Sequence, residues 1–323
     1  MQKQDLKIVY MGTPDFAVEP LRRLCEGGYN VVGVITMPDK PAGRGHRVQF
    51  SPVKQYALEQ GLPLLQPERL KDTAFLDQLR QWEADLQIVV AFRMLPQVVW
   101  SMPRLGTFNL HASLLPQYRG AAPINWAIMN GETETGVTTF FLRHEIDTGE
   151  VIYQERIPIA DTDDVGIVHD RLMHLGSELV LRTVDDILSG NVRSVPQEHL
   201  LPLAGTALHT APKIFKDTCR IDWTQGVKRI YDHVRGLSPY PAAWTELVHP
   251  DGTHTSLKVF AVEKLPMHHD LTPGTLQTDG KTYLRVAASD GFVGIRSLQL
   301  PGKKRLPVEE VLRGMRDVAG HME

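Results

Sequence analysis

A strand–turn–helix–strand succession at the N-terminus constrains this chain more than any other feature. Lys7–Met11 is apolar enough for a buried strand, Gly12-Thr13-Pro14-Asp15 turns, Phe16–Cys25 is an amphipathic helix, and Val31–Thr36 is the next strand. Parallel neighbours need a crossover, most often a helix, so this order predicts a βαβ unit and a mostly parallel, Rossmann-like α/β sheet. The pattern continues with helices over Ser51–Gln60 and Asp72–Trp82, a short strand at Pro63–Leu65 and a strand at Leu86–Phe92. That last run is apolar at nearly every position, as a strand buried on both faces must be. The first turn lacks Gly-x-Gly-x-x-Gly, so a dinucleotide site is not expected. A helix N-terminus that holds an anion and a plain tight turn both remain open there.

Two stretches break the alternation. Met37–Lys54 contains Pro38-Asp-Lys-Pro-Ala-Gly-Arg-Gly-His-Arg47 and has no apolar period, so it reads as a long surface loop. Loops of that length are usually functional or disordered. The second stretch, Thr107–Tyr153, is the one the chain is organised around. In Thr107-Phe-Asn-Leu-His111 the alternation puts Asn109 and His111 on one face of a strand. Val137–Leu142 reads as another strand, with Asp147 in its exit loop. If the two strands are neighbours, an amide, an imidazole and a carboxylate meet at one sheet end, where α/β folds place ligands. Geometry alone leaves open whether the trio is a site or His111 is a satisfied structural histidine.

Further on, Pro123–Asn130 reads as a helix, Val151–Ile159 as a strand and Asp163–Leu188 as a long helix with Val168, Leu172, Leu175, Leu179 and Ile187 on one face. Irregular sequence from Asn191 to Thr210 reads as a linker. A helix over Gly226–Gly236 follows, then short alternating runs at Thr245–Val248, Ser256–Val262, Gly274–Gln277, Tyr283–Ala287 and Gly291–Leu300. These predict a smaller β-barrel of the oligonucleotide-binding type, closed by a helix from Val308. The expected division is a catalytic domain over 1–190, a linker over 191–210 and the barrel domain over 211–323.

Charge separates the halves. The whole chain of 323 residues carries 35 Lys and Arg against 38 Asp and Glu, but from Thr206 onward there are 16 against 13. A mildly basic second half suits a polyanionic partner. Cys25 and Cys219 stand far apart in no redox or metal spacing. The N-terminus lacks a signal-peptide pattern, and no apolar run reaches membrane-spanning length. A cytoplasmic protein with reduced thiols and no membrane association is expected. The 13 histidines include no His-Glu-x-x-His and no Cys/His cluster, so no metal is expected. No Gly-x-Ser-x-Gly and no phosphate-binding loop occur either.

Several motifs coincide with one family. Gly12-Thr-Pro-Asp-Phe-Ala17, Pro38-Asp-Lys-Pro-Ala-Gly-Arg-Gly45, His111-Ala-Ser-Leu-Leu-Pro-Gln-Tyr-Arg-Gly-Ala-Ala-Pro123 and Asp147-Thr-Gly149 resemble the folate-dependent formyltransferases. Ala211-Pro-Lys213, Ile221-Asp-Trp223, Arg235-Gly-Leu-Ser-Pro-Tyr-Pro241 and Gly302-Lys-Lys-Arg305 extend the resemblance to the C-terminal domain of the bacterial methionyl-tRNA formyltransferase family. The chain departs from the family's Tyr-Gly segment with Ala91-Phe92-Arg93-Met94-Leu95, and carries Arg143-His144-Glu145-Ile146 before the Asp loop.

The resemblance implies a formyltransferase fold and formyl transfer from 10-formyltetrahydrofolate to the α-amino group of initiator methionyl-tRNA, by a monomer. It implies catalytic roles for Asn109, His111 and Asp147, and folate contacts from Ser113, Leu114, Leu115 and Pro116. Phe92, Arg93, Met94 and Leu95 become an expected pterin wall. Arg44, Arg47 and Lys54 beside the loop, and Lys303, Lys304 and Arg305 in the second domain, become expected tRNA contacts; a plain solvated turn is the alternative for the last three. Competing readings are a formyltransferase for a small amine, such as a nucleotide sugar or glycinamide ribonucleotide, and a non-catalytic RNA-binding module.

Overall fold

The computed structural model describes residues 2–42, 47–200, 207–314 and 319–323, with side chains placed in these except at 40–42, 47 and 48. The chain forms two compact units. One comprises Met1–Gly120, Thr135–Ile157 and His169–Thr210; the other comprises Ala121–Glu134, Pro158–Val168 and Ala211–Glu323.

The first unit is built on a seven-stranded sheet. Its order is Val151–Pro158, Glu134–Phe141, Thr107–His111, Leu86–Val90, Ile8–Gly12, Val31–Ile35, Leu64–Leu65. The five strands from Thr107–His111 to Leu64–Leu65 pair in parallel. Glu134–Phe141 pairs antiparallel with Thr107–His111. Every residue of Ile8–Gly12 and Leu86–Val90 is buried, as their near-continuous apolar sequence requires. The first helix, Val18–Glu26, buries Val18, Leu21 and Leu24, three residues apart along one face. The expected strand to Phe92 stops at Val90, because Ala91 turns the chain with φ +46°.

The expected loop Met37–Lys54 is partly regular. Lys40–Ala42 and Arg47–Gln49 pair as an antiparallel ribbon. Ser51 then caps the helix Pro52–Glu59, its Oγ accepting the Lys54 N–H at 3.1 Å, with Pro52 preset for the first turn. Lys54, where the expected loop and the expected helix Ser51–Gln60 overlap, belongs to the helix.

The second unit is a nearly closed antiparallel barrel, in keeping with the expected architecture. Its strand order is Leu276–Thr278, Leu284–Ala287, Phe292–Gln299, His254–Leu265, Ala243–Val248, His321–Met322. A bridge between Thr275 and His321, with the Met322 N–H donating to the Gly274 carbonyl at 2.8 Å, brings the last strand back to the first. The core holds Val227, Ile230, Val234 and Leu237 from one stripe of the helix Val227–Leu237, together with Trp223, Leu257, Val259, Val286, Val293 and Ile295. Met129, at the end of the helix Pro123–Met129, joins this core, and Trp126 packs against it. The two helices approach so closely that a Cβ at Gly236 would lie 2.5 Å from Met129 Cγ. No helix among the described residues is long and apolar enough to cross a membrane.

Candidate active site

His111 ends its strand and is buried, and its ring is oriented by one hydrogen bond. Nε2 lies 2.9 Å from the Tyr118 carbonyl. A carbonyl only accepts, so Nε2 carries a proton; in the neutral tautomer this leaves Nδ1 bare. That Nδ1 lies 4.0 Å from Asp147 Oδ2. Two atoms at that separation do not bond directly; a small donor group fits between them. Asp147 Oδ2 also accepts the Gly120 N–H at 3.0 Å. Asn109 stands two residues before His111 on the same strand face, and its Oδ1 is buried with no hydrogen-bond partner among the described residues. Such an atom is free to accept a hydrogen bond from a ligand group.

Asp147 reaches His111 by a different route from the one expected. Because Glu134–Phe141 runs antiparallel, Phe141 pairs with Phe108 and Thr138 with His111. The exit of that strand therefore lies beside the start of the Asn109–His111 strand, and the loop doubles back to bring the carboxylate over. Several contacts hold it there. Asp147 adopts the left-handed conformation, φ +54°. Its carbonyl and that of Gly149 accept hydrogen bonds from Gln197 Nε2 at 2.8 and 2.9 Å. Gln197 Oε1 in turn accepts from Arg119 Nε and Nη2 at 3.0 and 2.6 Å. A Cβ on Gly149 would sit 1.6 Å from the Phe141 carbonyl oxygen, so only glycine allows this turn to lie against the strand.

The turn after His111 is held from within. Ser113 Oγ donates to the Gln117 carbonyl at 2.6 Å, and the Ser113 carbonyl accepts from Thr138 Oγ1 at 2.6 Å. Ser113, Leu115 and Pro116 are buried, and Leu114 is half-buried. In the expected pterin wall, Leu95 belongs to the hydrophobic core. Arg93 donates to the Glu68 carbonyl at 2.8 Å and to the Pro67 carbonyl, and burial holds its pKa below the usual arginine value. Phe92 is half-buried and Met94 is 71% exposed, so these two are the open members of the segment.

The expected cationic contacts differ in availability. Arg44 lies outside the described residues, as does the Arg47 side chain. Lys54 Nζ is bound to Asp39 Oδ2 at 2.5 Å and lies 3.9 Å from the Phe50 ring centroid, so its charge is already engaged. That pairing holds the Asp39 carboxyl below its usual pKa. Lys303 and Lys304 are exposed. Arg305 is exposed too, but its Nε donates to Ser297 Oγ at 2.9 Å and its guanidinium covers the Phe260 ring.

Sequence reasoning singled out Asn109, His111 and Asp147 and passed over Gln197, which lay in the stretch read as linker. Nothing local marks Gln197; the amide works across 50 residues. Ser51-Pro52, by contrast, is a legible helix start, and the helix expected over Ser51–Gln60 is Pro52–Glu59, with Lys54 in its first turn.

Residues 6–184 match the family described as formyl transferase, and residues 213–316 match its C-terminal domain. A methionyl-tRNA formyltransferase of Bacteroides fragilis is 73% identical over 314 residues, covering 97% of this chain and 96% of the relative. One from Bacteroides thetaiotaomicron is 70% identical over 316 residues, 98% of each chain. Among solved structures, HypX from Aquifex aeolicus in complex with tetrahydrofolic acid matches with a TM-score of 0.61 at 20% identity, over 94% of this chain and 46% of that one.

Proposed function

This chain belongs to the formyltransferase family, and from that premise we propose that it formylates the α-amino group of initiator methionyl-tRNA with 10-formyltetrahydrofolate as donor. The observation that carries the chemistry is the Nδ1 of His111 facing the Asp147 carboxylate at 4.0 Å. The relatives at 73% and 70% identity, matched across both units, support a tRNA-borne methionine as recipient.

The residues act as follows. An α-amino group has a reference pKa of about 7.7–8.0, so a useful share is neutral near pH 7 and needs positioning more than a strong base. As the amine nitrogen bonds to the formyl carbon, its surplus proton falls to His111 Nδ1. Asp147 stabilises the imidazolium so formed, because the Tyr118 carbonyl keeps Nε2–H occupied. The same proton then goes to the departing folate nitrogen, so none is gained or lost. His111 is thus the proton carrier, and the oxygen that gains charge falls to Asn109. A half-turn of its amide exchanges the unpartnered Oδ1 for Nδ2–H.

The exposed Met94 and the half-buried Phe92 and Leu114 offer apolar surface for the pterin, while Ser113, Leu115 and Pro116 shape the turn after His111. Lys303 and Lys304 meet tRNA phosphates. The enzyme works as a monomer in the cytoplasm and uses no metal.

A formyl-transfer assay decides. The purified protein should formylate initiator methionyl-tRNA and leave nucleotide amino sugars and glycinamide ribonucleotide untouched. Asp147→Asn should keep folate binding and lose most turnover. A small amine used in preference to the charged tRNA would overturn the reading.

A further inference from the structure

We infer that Gln197 is a positioning residue for the reaction, acting on Asp147 through the backbone of its loop; the inference rests on the catalytic reading of Asp147. Gln197 is 3% exposed and begins the short turn Gln197–Leu200. Two residues earlier, Val195 exchanges backbone hydrogen bonds with Val151 at 2.8 and 2.9 Å, which fixes the segment against the sheet edge. From that anchor the amide reaches the carbonyls of Asp147 and Gly149.

The orientation of the amide is over-determined. Arg119 offers two N–H groups to Oε1, and the two loop carbonyls can only accept. Flipping the amide would set oxygen against oxygen on one side and N–H against N–H on the other. Arg119 also precedes Gly120, whose N–H holds Asp147 Oδ2. Asp147, Gln197, Arg119 and Gly120 therefore close a ring of hydrogen bonds around a residue in a left-handed conformation that non-glycine residues seldom adopt. Aspartate tolerates that conformation better than most residues, and these hydrogen bonds fix it there. Here the holding group is a buried neutral amide, which fixes the carboxylate's position without adding charge beside it.

The test is a mutant cycle with Gln197→Met, which keeps the side-chain volume and removes the hydrogen bonds, and with Asp147→Asn. We expect kcat to fall about tenfold to a hundredfold in Gln197→Met, as small misplacements of a reacting group do. KM for methionyl-tRNA and for the folate should stay within about twofold. In the Asp147→Asn background the second substitution should cost less than about twofold, since the group it positions is gone. A folded Gln197→Met enzyme with kcat within about twofold of the parent overturns the inference, and so does a full additive loss in the double variant. Gln197→Asn keeps the amide but falls one methylene short, and is judged by the same criteria should the methionine variant not fold. Near-normal turnover of Asp147→Asn alone is a separate failure, which removes the carboxylate from the mechanism and the role of Gln197 with it.

Discussion

Of the three side chains proposed for catalysis, Asn109 is the one the fold leaves least satisfied. Its amide oxygen is buried and unpartnered, whereas His111 and Asp147 each have a partner that fixes their direction. On the proposed mechanism that amide serves a charge that appears only during reaction. Asn109→Ala should lower kcat by about 10²–10³, or roughly 2.7–4 kcal/mol of transition-state stabilisation, with little change in KM. Steady-state kinetics at saturating folate measures this, and equal losses in kcat and folate affinity would speak against it. Asn109 and His111 were legible in the sequence because period-two alternation is a local property. Asp147 could be picked from its loop but not located, since the sense of its strand determines where the loop leaves. Gln197 and Arg119 were illegible as partners, because a hydrogen bond between distant residues leaves no local trace.

At the scale of elements, the turn Asp147-Thr148-Gly149 is held by close approach as much as by hydrogen bonds. Gly149 lies where any Cβ would collide with the Phe141 carbonyl and crowd the Phe140 ring. Gly149→Ala should push the turn off the strand, costing about 1–3 kcal/mol as overpacking does, and carry the Asp147 carboxylate away from His111. Denaturant unfolding and kcat should fall together; an alanine variant with unchanged stability would sink the argument. Most elements could be read in advance because their apolar periods are strong: the helix expected over Asp72–Trp82 is Thr73–Gln81, and the strand expected over Val31–Thr36 is Val31–Ile35. The ribbon Lys40–Ala42 with Arg47–Gln49 was not, since Pro41 and a glycine-bearing connection mask any alternation. The stop at Val90 was not either. Its cause is the backbone conformation of Ala91, which an apolar run does not encode.

At the scale of the molecule, a sequence reading cuts a chain into consecutive stretches, but the two compact units here draw on six segments. The barrel unit takes in Ala121–Glu134 and Pro158–Val168, and its core includes Met129, with Trp126 packed against it. A fragment made of residues 211–323 alone would lack both side chains and bare the face of Val227–Leu237 that Gly236 offers to Met129. It should bind a hydrophobic dye and unfold without a sharp transition. Native near-ultraviolet dichroism and cooperative melting from that fragment would show the two borrowed segments to be dispensable.

That interleaving limits how such a protein can be shuffled. A crossover between two related genes anywhere past the middle transplants the barrel strands and leaves behind the helix that seals them, still spelled by the other parent. Chimeras exchanging the barrel would need the stretch around Trp126 and Met129 to travel with the C-terminal third, and natural drift in one should be answered by compensating change in the other.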